Sequence, residues 1–191
     1  MDRDLTSGFC GVVLAGGTAA RMGGIDKAGV ELQGRTLLEL AVDAFVDADE
    51  VVVVGPPTVR TERPVTFVTE DPPRGGPVAG LLTGVDALRR RPALVGVLAV
   101  DMPRVTPATW RRLREAAAGR DGAFLVDGDG RRQLAGVLDV ARLAGVRPGV
   151  EEQHGMALHR LLAPLDLALV PSTGDEAVDI DSWADLRDLR S

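Results

Sequence analysis

Hydrophobic positions along this chain of 191 residues fall into two alternating kinds of run. Nearly continuous apolar stretches at 11–15, 51–55, 66–69, 94–100, 123–126 and 134–138 predict strands buried on both faces, as in a parallel sheet. Between them, 36–45, 80–89, 107–117 and 155–162 carry apolar residues at three- and four-residue spacing, which predicts helices packed through one face. A further strand is expected at 177–180, then a short helix over 182–189 capped by Ser182. This alternation predicts an α/β fold with a mostly parallel central sheet and helices on both faces. The length, and the lack of any repeat or low-complexity linker, predict one domain over 1–191.

Glycine and proline concentrate at 16–24, 55–57 and 72–80, where the pattern places loops at strand ends. In open α/β sheets, ligands bind beyond the carboxyl ends of the strands, so these loops are where chemistry is expected. Composition narrows the ligand. A formal net charge of −6 argues against broad nucleic-acid or anionic-membrane binding, so an anionic ligand must meet a local positive cluster. Of 22 lysine and arginine residues only Lys27 is lysine, which marks a place that needs a compact ammonium rather than a planar fork. The N-terminus lacks a basic, cleavable leader and no stretch approaches a membrane span, so the expected compartment is the cytoplasm. The single cysteine, Cys10, starts an apolar strand and reads as a small core residue. His154 and His159 flank a predicted helix and read as surface or capping residues rather than ligands.

Four segments carry candidate chemistry. The first strand runs directly into Leu14, Ala15, Gly16 and Gly17, and the following loop holds Arg21, Gly23, Gly24 and Lys27. Glycines after a strand let backbone N–H groups approach phosphate oxygens, and Arg21 and Lys27 can neutralise the remaining charge. The spacing fits neither the dinucleotide fingerprint nor the P-loop. Asp101 stands at the carboxyl end of the 94–100 run, where a carboxylate is costly unless it is solvated or holds a cation; Mg²⁺ suits it, since that ion takes oxygen ligands from one or two carboxylates plus substrate phosphates. Asp71 lies in a loop where Gly75, Gly76 and Gly80 permit close approach, and its carboxylate can accept from adjacent donors such as those of guanine. Asp179 and Asp181 alternate along the last predicted strand, so that one, with Asp181 the choice, can complete a metal site with Asp101. Local alternatives exist for each: a glycine-rich turn, a helix cap at Asp101, a turn before Pro72, an acidic cap at the last helix.

Together these residues resemble the molybdenum cofactor guanylyltransferases, within the wider nucleotidyltransferases that share a three-layer Rossmann-like fold. The likeness rests on Leu14-Ala15-Gly16-Gly17 with 21–27, on 76–80, on Asp101-Met102-Pro103, and on 179–186. It implies transfer of GMP from GTP to the phosphate of molybdopterin, with Mg²⁺ and release of pyrophosphate. It further implies backbone contacts from Leu14, Ala15 and Gly17 to the nucleotide, Lys27 on its phosphates, Asp71 on guanine and Asp101 on Mg²⁺; Asp101, Lys27 and Arg21 form the expected catalytic set. The expected partners are GTP and molybdopterin, together with transient contacts to cofactor-synthesis or acceptor proteins. Leu-Ala-Gly-Gly is similar to the guanylyl branch, whereas cytidylyl enzymes usually read Leu-Ala-Ala-Gly. The terminal segment departs from the guanylyl pattern: aspartates stand where asparagines are usual in a chain with no asparagine, and Ser182-Trp183-Ala184 replaces Thr-Pro-Glu. Cytidylyl transfer to the same cofactor, nucleotidyl transfer to another small phosphorylated acceptor, and a non-catalytic nucleotide-binding module are the competing readings.

Overall fold

The computed structural model describes residues 8–16, 18–19, 23–71 and 73–189. Eleven strands are placed among them: β1 (Phe9–Leu14), β2 (Thr18–Ala19), β3 (Ile25–Asp26), β4 (Glu31–Leu32), β5 (Arg35–Thr36), β6 (Val51–Val54), β7 (Thr66–Val68), β8 (Leu94–Ala99), β9 (Gly122–Val126), β10 (Arg132–Asp139) and β11 (Leu167–Pro171). The helices are α1 (Leu37–Ala44), α2 (Pro77–Asp86), α3 (Pro107–Ala116), α4 (Val140–Gly145), α5 (Val150–Gln153), α6 (Leu158–Leu162) and α7 (Trp183–Asp188). Seven strands form one sheet in the order β11-β9-β10-β8-β1-β6-β7, and β2-β3 and β4-β5 are separate two-stranded ribbons.

Side chains alternate across the pleat, so each central strand feeds two cores. From β1, Val13 packs with Leu38 and Val42 of α1 and with Trp110 and Leu113 of α3. Val12 points the other way, toward Leu81 and Leu82 of α2, Leu143 of α4 and Leu162 of α6. Helices therefore cover both faces, as the periodicity predicts. Gly11 and Gly96 lie side by side in the β1/β8 register, and a Cβ on either would come within 2.7 Å of the Phe45 ring. The missing side chains thus leave the recess that Phe45 fills, where it stacks on Trp110 at 4.3 Å.

Three expectations need correction. The stretch 134–138 belongs to β10, which runs antiparallel to both β8 and β9. The reason is connection length: only residues 127–131 join β9 to β10, too few for a crossover, and Asp127 closes the turn by accepting from the N–H groups of Asp129 and Arg131. The stretch 177–180 is not a strand but an irregular segment. Conversely, β11 joins the sheet beside β9 without having been expected: its apolar run, 167–170, is short, and the strand lies half-exposed at the sheet edge rather than buried on both faces.

One polar strut fixes the segment that leads to the C-terminal aspartates. The buried Glu176 carboxylate accepts from Thr109 Oγ1 at 2.6 Å, from both terminal Arg112 nitrogens at 2.8 and 2.9 Å, and from the Thr173 N–H at 2.8 Å. Burial alone pushes this carboxyl upward, but the Arg112, Thr109 and Thr173 hydrogen bonds and the Arg112 charge outweigh it, and the net shift is downward. The stabilisation is therefore complete above the ordinary value of 4.5 and is lost as pH falls through the depressed folded value. Glu176→Ala is expected to lower the unfolding free energy by about 2–3 kcal/mol at pH 7 and to flatten its decline below pH 4.5. Urea melts of both proteins from pH 3 to 7 measure this, and parallel pH profiles would refute it.

Candidate active site

The carboxyl ends of β1, β6 and β8 lie side by side, with Leu14 opposite Val54 on one side and Ala99 on the other. Beyond them opens a cavity of about 280 Å³. Leu14 and Val54 contribute apolar wall, Gly76, Pro77 and Gly80 of the α2 start contribute backbone, and Lys27 and Asp101 contribute charge. Gly76 adopts φ +86°, a left-handed conformation open to glycine, which turns the chain into α2 with its N-terminus against the cavity.

Gly16 lines the cavity, and past it the chain forms a ribbon in which Thr18 pairs with Asp26 and Ala19 with Ile25. Gly23 and Gly24 both adopt positive φ, which lets this ribbon reverse. Gly17 and Arg21 lie outside the described residues. Ala15 does not offer its N–H to a ligand: it is 2% exposed and donates to the Val54 carbonyl at 2.8 Å, as the backbone pairing at the top of the sheet requires.

The ribbon ends in a 3-10 turn, Lys27–Gly29, capped by Asp26, whose Oδ1 accepts from the Ala28 N–H at 3.0 Å and whose Oδ2 accepts from the Thr58 hydroxyl. This turn aims the Lys27 side chain inward. Its Nζ donates to Asp101 Oδ2 at 2.8 Å and to Asp181 Oδ1 at 2.6 Å, and the residue is 8% exposed. Burial acts to lower the Lys27 pKa, but hydrogen bonds and charge from both aspartates prevail, and the net shift is upward. The ammonium stays charged.

Two carboxylates so far apart in sequence meet for an identifiable reason. The Ile180 N–H donates to the Asp101 carbonyl at 2.9 Å, and the Ile180 side chain is fully buried in the core. Ser182 then caps α7 and exchanges hydrogen bonds with Asp185, fixing the chain just after Asp181. Of the alternating pair, Asp181 makes the contact with Lys27; partial desolvation and then the neighbouring charges of Asp181 and Asp101 raise the Asp179 carboxyl above its usual range.

Asp71 is not among the cavity walls. It is exposed, and its backbone is held to Thr83 Oγ1 in both directions, at 3.0 and 3.1 Å. Its neighbour Glu70 does not line the cavity either, but its carboxylate approaches Gly80, which does. A Cβ placed on Gly80 would sit 3.3 Å from Leu14 Cδ2, 3.8 Å from Glu70 Oε2 and 3.9 Å from Val54 Cγ1, so the Glu70 oxygen converges with two cavity-lining side chains. Sequence reasoning missed it because both acids precede Pro72 and the direction of each side chain depends on how 69–71 lies along α2. The other expected non-participants stay apart: His154 and His159 are exposed and do not line the cavity. The buried Cys10 thiol is pushed up to about 11 by burial and then by Glu50 and Asp49, which keeps it unreactive.

The donor set suits a hard divalent cation. Asp101 and Asp181 both reach one ammonium, so both can reach one ion, and all their donors are oxygens. Among the described residues no group of three or more acidic, histidine or cysteine side chains could hold a metal. An ion here would therefore take its remaining oxygens from water or from a substrate.

This geometry has relatives. The sequence profile of the MobA-like NTP transferase domain matches residues 11–172. The chain belongs to the MobA-like NTP transferase family. A probable molybdenum cofactor guanylyltransferase of Opitutus terrae is 36% identical over 142 residues, covering 72% of this chain and 70% of that protein. The structure described as molybdopterin-guanine dinucleotide biosynthesis protein A from Archaeoglobus fulgidus superposes with a TM-score of 0.71 at 20% identity, over 95% of this chain and 96% of that one. A Mycobacterium tuberculosis H37Rv protein, Rv0371c in complex with manganese, superposes with a TM-score of 0.70 at 18% identity, over 96% and 98% of the two chains. At these identities the structural matches speak for the fold. As a member of this family, the chain is a nucleotidyltransferase. No helix among the described residues is long and apolar enough to cross a membrane.

Proposed function

We propose that this enzyme transfers GMP from GTP to the phosphate of molybdopterin and releases pyrophosphate. The observation that carries the reading is the Lys27 ammonium held between Asp101 and Asp181 at the mouth of a cavity bordered by the glycine-rich turn. Names of the relatives support the choice of substrates.

An acceptor phosphate oxygen forms a bond to the α-phosphorus, and the bond from that phosphorus to the bridging oxygen breaks, with pyrophosphate taking the electron pair. A phosphate monoester is largely ionised near neutrality, so no general base is needed, in keeping with a site that has no histidine at the cavity wall. Asp101 and Asp181 would hold a divalent ion, Mg²⁺ in our reading, which would supply charge stabilisation to the phosphates. Gly16, and Gly17 beyond it, let the backbone approach the triphosphate, Lys27 turns from the aspartates to the phosphates, and Arg21 adds a second positive charge. Leu14, Val54 and Gly80 form the slot for the base.

Pyrophosphate release with each of the four nucleoside triphosphates and molybdopterin tests the proposal. Turnover with GTP and Mg²⁺ is expected, and turnover with CTP alone would replace guanylyl by cytidylyl transfer. We place Glu70, with Asp71 at the rim, opposite the two adjacent guanine donors. Glu70→Gln is expected to cut the preference for GTP over ITP, which lacks the exocyclic amine, by about 10-fold or more, while Asp71→Asn changes it less than threefold. Competition binding measures both, and the reverse ranking would return the base contact to Asp71.

A further inference from the structure

Asp181 reaches Lys27 with a side chain that is 47% exposed, so packing does not fix its direction. The backbone does. Peptide groups are planar, so the two dihedrals that flank the Asp181 Cα set where its side chain points. The N–H of the peptide before that Cα, which is the Asp181 N–H, donates to Asp185 Oδ2 at 3.0 Å. The N–H of the peptide after it, which is the Ser182 N–H, donates to the same oxygen at 2.7 Å. One carboxylate therefore pins both peptide planes around Asp181, while the Ile180 N–H anchors the preceding one to the Asp101 carbonyl.

Helix capping alone does not call for this arrangement. In a capping box, the side chain of the third helical residue accepts from the N–H of the cap residue. Glu39 does so for Thr36, Thr109 for Thr106, and Glu152 for Gly149. Among the described residues, none of these three also accepts from the N–H of the residue before the cap. Asp185 does, and that residue is Asp181. The Ser182 hydroxyl, then the Asp181 and Ser182 N–H groups and the Lys27 charge, outweigh desolvation and hold the Asp185 carboxyl below its usual range. It is an ionised acceptor at neutral pH.

We propose that Asp185 is a positioning residue for the transfer reaction: by fixing both peptide planes around Asp181, it aims that carboxylate at the place where it meets Lys27. The consequence for an ion rests on the reading of Asp181 as an ion ligand given above.

Lys27 is the single lysine of the chain, so protein labelled with ¹⁵N-lysine gives one side-chain ammonium signal. Proton exchange of that ammonium, followed at mildly acidic pH without metal or nucleotide, reports how firmly the aspartates hold it. Asp185→Thr copies the arrangement at Thr109, which keeps the bond from the cap and lacks the one from the residue before it. Exchange is expected to be about 10-fold faster in Asp185→Thr and in Asp185→Ala. It should stay within about threefold of wild type in Asp185→Asn, which keeps an acceptor oxygen, and in Ser182→Ala, which removes the cap hydroxyl but leaves both backbone bonds to Asp185. Mn²⁺ affinity in the presence of GTP should fall about 10-fold in Asp185→Thr and Asp185→Ala only. Wild-type exchange in whichever of those two variants folds, or equally fast exchange in Ser182→Ala, overturns the proposal. Faster exchange with unchanged Mn²⁺ affinity supports the positioning role and overturns the ion reading of Asp181, so the two failures are distinguishable.

Discussion

Asp101→Asn is expected to lower the rate of pyrophosphate release at saturating GTP and acceptor by about 10²- to 10³-fold while leaving the thermal midpoint within a few degrees of wild type. Asp101 sits just past β8, beside the end of β1, and its backbone carbonyl, which anchors Ile180, is untouched by the change. The amide keeps an oxygen that can accept from Lys27, so the site should stay assembled. What it loses is half of the anionic pair that suits a divalent ion, and losing charge stabilisation matched to the transition state costs rate on this scale. The apparent Mg²⁺ requirement should rise in parallel. Turnover within threefold of wild type at ordinary Mg²⁺ would remove Asp101 from the mechanism.

Lys27→Met should show two effects of opposite sign. GTP binding weakens by about 10²-fold, since removing one partner of a charged, hydrogen-bonded contact costs several kcal/mol. Mn²⁺ binding in the absence of nucleotide tightens, because the ammonium 2.8 and 2.6 Å from the two aspartates no longer competes for the position that a cation takes. Methionine preserves most of the buried stem, which limits the packing loss. Calorimetry with GTP and paramagnetic titration with Mn²⁺ alone read the two effects independently. If Mn²⁺ binds the variant no better than wild type, the ammonium and the ion do not share a position.

The aspartate pair illustrates the limit of reading along the chain. Asp101 stood out because a carboxylate directly after six apolar residues must have a solvating or cationic partner. Asp181 stood out less, since an acid before a short helix is ordinary capping chemistry. The expected alternation along a strand was the wrong reason for choosing it, because 177–180 is irregular. What brings Asp181 beside Asp101 is the Ile180 hydrogen bond to the Asp101 backbone, a contact across 79 positions that no local pattern reports. Glu70 and Asp71 differ by a single position, and only the course of 69–71 along α2 decides which of them meets Gly80.

What the sequence by itself determined is what depends on short-range periodicity: the apolar runs that become β1, β6, β8 and β9, the one-sided helices α1 and α3, the glycine-rich loop with its single lysine, and Asp101 at a strand end. The Thr36 cap with Glu39 three residues later is equally local, and α1 starts there. Only the tertiary structure decided the reversed β10, the pairing of β11 beside β9, the approach of Glu70 to Gly80 and the Lys27 clamp. These depend on contacts between residues far apart in sequence, whose free energy comes from burying shared surfaces and satisfying polar groups across elements, and a chain read one window at a time carries no record of them.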